Sequence, residues 1–158
     1  MNSDTLETIE MPPRLNYAKA APAALGAMLA LQQAVNQGGL ERRLLELVRM
    51  RASQINGCAF CLDMHVREAR AAGEADERLF LLDAWAETSR YTARERAALH
   101  WTEVLTRLAG KPVTDEDFAI ARAEFSEEEL AQLSFVIVAI NGWNRLNVGF
   151  RIPPGATA

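Results

Sequence analysis

The stretch from Ser126 to Asn147 constrains the fold more than any other part of the chain. Ser126 and Glu129 have the spacing of a capping box, in which each side chain takes an orphan backbone N–H at a helix start. The run that follows is apolar nearly all round: Leu130, Leu133, Phe135, Val136, Ile137, Val138, Ala139 and Ile140. A helix without a polar stripe has to be buried on several sides. The run therefore predicts the central helix of a bundle or a subunit interface. Neither Phe135–Ile140 nor the other long apolar stretch, Ala20–Leu31, reaches the ~20 residues of a membrane span.

The rest of the chain also reads as helices joined by short turns. No run of alternating β-branched and aromatic residues marks a strand. Pro22 is placed early in a helix over 22–36, where its missing N–H costs little, and Gly38-Gly39 ends it. A second helix over 40–55 carries Leu40, Leu44, Leu47, Val48 and Ile55 on one side, and Asn56-Gly57 is a turn signal. A third over 58–72 stops at Gly73, and a short one spans 76–86. Thr92 with Glu95 caps a helix over 93–108, Thr114 caps 115–123, and the capping box at Ser126 opens 127–147. The expected class is all-α, a bundle of about six to seven helices. At 158 residues the chain is one domain, placed at 14–152 between an N-terminal arm, 1–13, and a C-terminal tail, 153–158.

Charge narrows the function. A net charge of −4 argues against nucleic acid as a partner. Met1–Glu10 is acidic and lacks the basic start of a secretory signal, so a cytoplasmic, reducing location is expected. Two cysteines do not make a disulfide scaffold, and two histidines are few for a dedicated metal site. Yet this inventory is concentrated. Both cysteines lie in Cys58-Ala59-Phe60-Cys61, and His65 follows.

The turn at Asn56-Gly57 places Cys58 at a helix N-terminus, where unpaired N–H groups and the helix dipole favour a thiolate. Cys61 lies one turn on, close enough for a small disulfide. His65 is four residues beyond Cys61 and shares its helix face, so it is placed to take the thiol proton or stabilise the thiolate. A pair of inert buried cysteines is the structural alternative. A zinc site would need His100 as fourth ligand beside Cys58, Cys61 and His65. His100, between Leu99 and Trp101, reads instead as a packed or surface histidine. No flavin, haem, nicotinamide or phosphate-loop motif is present, so no cofactor and no metal are expected. Trp85, Trp101 and Trp143 are expected as core or interface anchors, with Trp143-Asn144 able to border a pocket.

The segment Gln54-Ile55-Asn56-Gly57-Cys58-Ala59-Phe60-Cys61-Leu62-Asp63-Met64-His65 resembles the core motif of the alkylhydroperoxidase D-like (AhpD-like) proteins. These belong to the carboxymuconolactone decarboxylase superfamily. Their pattern puts a glutamate on the preceding helix, which Glu46 matches, twelve residues before Cys58. Ala139-Ile140-Asn141-Gly142-Trp143-Asn144-Arg145-Leu146-Asn147 also resembles the small single-domain branch.

The resemblance implies an oligomer-forming helical fold, often a trimer or hexamer, and a thiol peroxidase. Cys61 would then attack a hydroperoxide, Cys58 would resolve the sulfenic acid, and Glu46 and His65 would relay protons. Electrons would come from an external dithiol reductant protein. Position relative to the helix end favours Cys58 as the more acidic thiol; the family order favours Cys61, which His65 and Glu46 serve. Phe60 stands where some relatives carry a relay histidine, so a shorter relay and weaker turnover are expected. By periodicity alone Glu46 is a solvated carboxylate, off the Leu44/Leu47/Val48 face and flanked by arginines. Two other functions stand beside the peroxidase. One is a thiol–disulfide exchange or redox-regulated protein with negligible peroxidase turnover, which Phe60 favours. The other, as the resemblance implies, is the superfamily's lactone decarboxylase chemistry, ranked last because members doing that reaction generally lack the cysteine pair.

Overall fold

The computed structural model describes residues 8–156. Residues 1–7 of the expected arm and 157–158 of the expected tail lie outside it. The described residues form α1 (Tyr17–Ala20), α2 (Pro22–Asn36), α3 (Arg42–Asn56), α4 (Ala59–Ala71), α5 (Asp76–Phe80), a 3-10 segment (Leu82–Glu87), α6 (Ala93–Thr106), α7 (Asp115–Glu124) and α8 (Glu127–Gly149), with no strand. The all-α expectation holds, with two changes in the element list. The one-turn α1 carries no periodic signal, being capped by Asn16, whose side chain accepts the Lys19 N–H. The expected helix over 76–86 divides at Leu81. Leu79, Leu82 and Trp85 all turn into the core, and a spacing of three keeps them on one side of a 3-10 turn.

The capping boxes form as their spacing predicts. Thr92 with Glu95 opens α6 and Ser126 with Glu129 opens α8; Thr114 gains a reciprocal bond from Asp117 at the start of α7. Each cap stabilises its helix by about 1 kcal/mol.

The central helix is α3, which corrects the central-helix branch of the expectation for α8. Every residue of α3 from Leu44 to Ser53 is buried, and the helix packs against α4, α6 and α8. α8 buries Leu130, Leu133, Val136, Ile137 and Ile140 but leaves Phe135 and Val138 56% and 57% exposed. Hydropathy hides the centrality of α3 because Glu46, Arg49 and Arg51 lie within it. These charges are tolerated because each is paired. Arg51 Nε donates to Glu103 at 2.8 Å, and its Nη1 reaches Asp83 and Gln54.

Two connections position the site. Gly57 ends α3 with φ 66°, a left-handed conformation that suits glycine, and turns the chain straight into α4. At the opposite end of the fold's sequence, Arg14 N–H donates to Phe150 O at 2.8 Å and the Tyr17 ring packs on Phe150. That holds α1 over the C-terminal end of α8. Among the described residues no helix is long and apolar enough to cross a membrane.

Candidate active site

The left-handed turn at Gly57 leaves Cys58 as the N-cap of α4, its sulfur accepting the Cys61 N–H at 3.3 Å. The two sulfurs are joined as a disulfide, with Cα atoms 5.3 Å apart. Both cysteines are 1% exposed, packed with Ala52 of α3, Ile140 of α8 and the half-buried Phe60. The Cys61 sulfur also meets Asn147 of α8, whose Nδ2 lies 3.5 Å away. Tyr17 Oη–H donates to Asn147 Oδ1 at 3.0 Å, which turns the amide so that its N–H groups face the sulfur.

One turn along α4, His65 is buried against α3. Its Nδ1 lies 2.8 Å from Glu46 Oε2 and 3.0 Å from Glu68 Oε2. Arg49 donates through Nη1 to the other Glu46 oxygen at 2.8 Å and through Nη2 to Asn36. Burial alone pulls the His65 imidazolium toward neutrality, but the hydrogen bonds it donates to Glu46 and Glu68 outweigh it and raise the pKa above the ordinary value of 6.5. The same bond to His65 holds the Glu68 carboxyl below its ordinary range. These contacts favour the protonated form of His65 relative to a free imidazole. Nε2 makes no hydrogen bond among the described residues and is the ring nitrogen left for chemistry.

A cavity of about 250 Å³ opens onto this group, lined by Cys61, His65, Glu68, Arg49, Phe60 and Asn147 among others. It brings the Cys61 sulfur, the His65 imidazole and the Glu68 carboxylate to one wall, with Glu46 bonded to His65 behind it.

Of the residues singled out in the sequence, Cys58, Cys61, His65 and Glu46 are brought together. The periodicity reading of Glu46 as a solvated carboxylate is overturned: it is 2% exposed, because α4 lies across that side of α3. His65 and Cys61 share a face of α4 and line one cavity, but no hydrogen bond joins them among the described residues. His100 bonds instead to Asp117 Oδ1 at 2.8 Å, joining α6 to α7, so the four-ligand zinc arrangement is not assembled. Glu46, His65 and Glu68 present ligand atoms within 4.8 Å of one another, but Arg49 already occupies one Glu46 oxygen. Trp85 and Trp101 are buried anchors, bonded to Glu103 and Ser134, whereas Trp143 borders the cavity.

Arg49, Glu68, Asn147 and Tyr17 escaped the sequence reading as functional residues. Glu68 and Arg49 had a signal, each three residues from His65 or Glu46 on the same helix face. Asn147 closes the 139–147 stretch of the family resemblance, but nothing there pairs it with Tyr17, whose contact spans 130 residues.

Comparison with known proteins agrees with this geometry. The pattern of the carboxymuconolactone decarboxylase family matches residues 22–104, which include Glu46, both cysteines and His65. The uncharacterized protein YdfG of Bacillus subtilis (strain 168) is 38% identical over 138 residues, 87% of this chain and 94% of its own. A crystal structure of a protein of unknown function from Agrobacterium tumefaciens, suggested to be the antioxidant defence protein AhpD, is 44% identical and superposes with a TM-score of 0.88 over 92% of this chain and all of that one. The fold is also that of the debrominase Bmp8, with a TM-score of 0.78 at 19% identity, over 87% of this chain and 74% of that one. With its helical fold, its paired cysteines and a glutamate-bound histidine on adjacent helices, the chain belongs to the carboxymuconolactone decarboxylase family and is AhpD-like within it.

Proposed function

We propose that the protein is a thiol peroxidase that reduces organic hydroperoxides or hydrogen peroxide through Cys61 and Cys58. The observation that carries this reading is the buried Glu46–His65 pair beside a cavity that Cys61 also lines.

In the reduced protein the Cys61 proton resides on His65, and the thiolate is stabilised by the imidazolium and the Asn147 amide. The thiolate attacks the distal oxygen of ROOH, and the O–O bond breaks. His65 gives its proton to the departing alkoxide, leaving ROH and Cys61 sulfenic acid. The Cys58 thiol displaces the hydroxyl as water and closes the disulfide. An external dithiol reductant reopens it by exchange, and the regenerated Cys61 thiol returns its proton to His65. A recycled disulfide of this kind suits a reducing compartment such as the cytoplasm.

The reading is tested by stopped-flow oxidation with several peroxides and mass spectrometry of the Cys58–Cys61 peptide. Disulfide formation that depends on peroxide and is lost in Cys61→Ser supports it. Unchanged peroxide consumption in that variant sinks it. Disulfide exchange with a dithiol, and no peroxide rate above free cysteine, selects the exchange protein. Lactone decarboxylation that survives Cys58→Ser/Cys61→Ser selects the decarboxylase. We propose a homo-oligomer, supported by the exposed Phe135 and Val138 on α8, with a trimer or hexamer as the family resemblance implies.

A further inference from the structure

Beyond the inner cavity lies a second of about 440 Å³, between the segment at 13–18, α2 and the residues after α8. The two share Tyr17, Leu29, Phe60 and Trp143 as walls. Their chemistry differs sharply. Arg49, His65 and Glu68 line the inner cavity, whereas among the described residues no charged side chain lines the outer one. Its surface comes from Leu15, Leu25 and Ile152 together with the shared walls. The one amide there, Asn16, already has its Oδ1 occupied by the Lys19 N–H at 3.0 Å. Leu15 and Leu29 remain 46% and 53% exposed, so packing among the described residues leaves this apolar surface uncovered.

We propose that the outer cavity binds the apolar tail of the substrate, and that the substrate is a neutral organic hydroperoxide with an extended alkyl or aryl group. This rests on the peroxidase reading of Cys61. Polar inner end and apolar outer end match a molecule whose hydroperoxide head reaches the sulfur while its tail lies past Phe60. The combined size falls in the range of small-molecule sites, roughly 300–1,000 Å³. Phe60 then has a role unconnected with proton transfer. It forms the apolar shoulder between the two spaces, where a polar side chain would have to be desolvated by the passing tail.

Two measurements separate the groove from the reaction. Binding of butan-1-ol, hexan-1-ol and octan-1-ol, analogues of the product alcohol, is read on the oxidised full chain by ligand-observed NMR. The dissociation constant should tighten by roughly two- to fourfold per added methylene, the gain from burying that surface. Leu25→Glu and Ile152→Glu, on different elements, should each weaken octan-1-ol at least tenfold, with circular dichroism checking the fold of both. In turnover, kcat/KM for octyl over ethyl hydroperoxide should exceed tenfold and collapse in both variants. Binding without chain-length dependence overturns the groove, whatever the peroxide kinetics. Octan-1-ol binding that appears only when the assembly is diluted to monomers overturns it too, because a second copy then fills the space. Chain-length-dependent binding with no turnover of any peroxide removes the hydroperoxide and the peroxidase reading while keeping an apolar-tail site.

Discussion

Glu46 and His65, nineteen residues apart and on different helices, meet in a hydrogen bond of 2.8 Å with both side chains buried. The pair is one charge centre in a row. Arg49 neutralises one Glu46 oxygen, His65 takes the other, and Glu68 approaches the same imidazole nitrogen from α4. Two carboxylates against one imidazole favour its protonated form, and that form is the one able to stabilise a thiolate and protonate an alkoxide.

Glu46→Gln keeps the shape and removes the charge. The His65 pKa should fall, because burial then acts against the imidazolium with only Glu68 opposing it. Oxidation of Cys61 by peroxide should slow by about 10- to 100-fold, the range of a weakened general acid. The chain has two histidines, so proton NMR titration resolves His65 from His100. An unmoved His65 titration in the variant would disprove this link.

The same ion pair makes stability depend on pH. His65 has a folded pKa raised above its unfolded value, so the native state binds the extra proton between the two. Its contribution is fully present below about pH 6.5 and is lost as pH rises through the folded value. Glu68, with a lowered folded pKa, acts at the acid end: its contribution is present above the ordinary carboxylate range and is lost as pH falls through the folded value. Tyr17 and Tyr91, raised by burial, titrate above this window. Urea unfolding at a series of pH values from 6 to 9 should show falling stability in the native protein and a flatter profile in His65→Gln. Identical profiles for the two proteins would rule the mechanism out.

Local chemistry was legible in the sequence wherever it acts over a few residues. Thr92/Glu95 and Ser126/Glu129 announce their helices because a capping box is complete within four positions. Asn56-Gly57 announces the turn that makes Cys58 an N-cap for the same reason. The packing order was not legible. α8 looks central because its residues are apolar, and α3 looks peripheral because it carries charges, yet α3 is the enclosed helix. Periodicity counts charges as exposed and has no means of pairing Arg51 with Glu103 across 52 residues. Glu46 was rescued only by family resemblance, and Tyr17–Asn147 by nothing in the chain's pattern.

Asn147 gives Cys61 its one side-chain donor among the described hydrogen bonds. Asn147→Leu removes that donor at similar volume. The Cys61 thiolate should lose about 0.5–1.5 kcal/mol of stabilisation, roughly 2- to 12-fold in thiolate fraction. Tyr17→Phe frees the amide to rotate and should produce a smaller shift in the same direction. The readout is the pH profile of Cys61 alkylation in reduced Cys58→Ser protein. A midpoint that rises in neither variant refutes the contact.

Arg51 tests the claim that α3 is held at the centre by paired charges. Its guanidinium is buried and donates to Glu103, which also accepts the Trp85 indole N–H at 2.7 Å. Arg51→Ala leaves the half-buried Glu103 carboxylate with only the exposed Arg107 and the Trp85 indole as donors, and removes the guanidinium packed beside it. The expected loss is about 2 kcal/mol, below the ~3–5 kcal/mol of a fully enclosed pair because Asp83 on the other side is solvent-exposed. Arg51→Met, which fills the space and removes the charge, should also lose stability as long as Glu103 stays ionised. Adding Glu103→Gln to it should recover part of that loss. Urea midpoints for the two single variants and the double variant close the cycle, and simple additivity would mean that the charges are not coupled.

Phe135 and Val138 test the assembly. They lie three residues apart on α8, one turn of the same face, and both are more than half exposed. Burying the exposed half of each side chain between copies contributes roughly 1 kcal/mol apiece, about half of the figure for a fully exposed side chain. Phe135→Glu puts a charge on that face, and in a symmetric assembly the same change meets its own copy or a desolvated surface. Light scattering on the eluting protein should show a trimer or hexamer for the native chain. The variant should shift to smaller species with an unchanged helical circular dichroism spectrum. A native monomer, or a variant that elutes with the native mass, would mean that this face of α8 is not the contact.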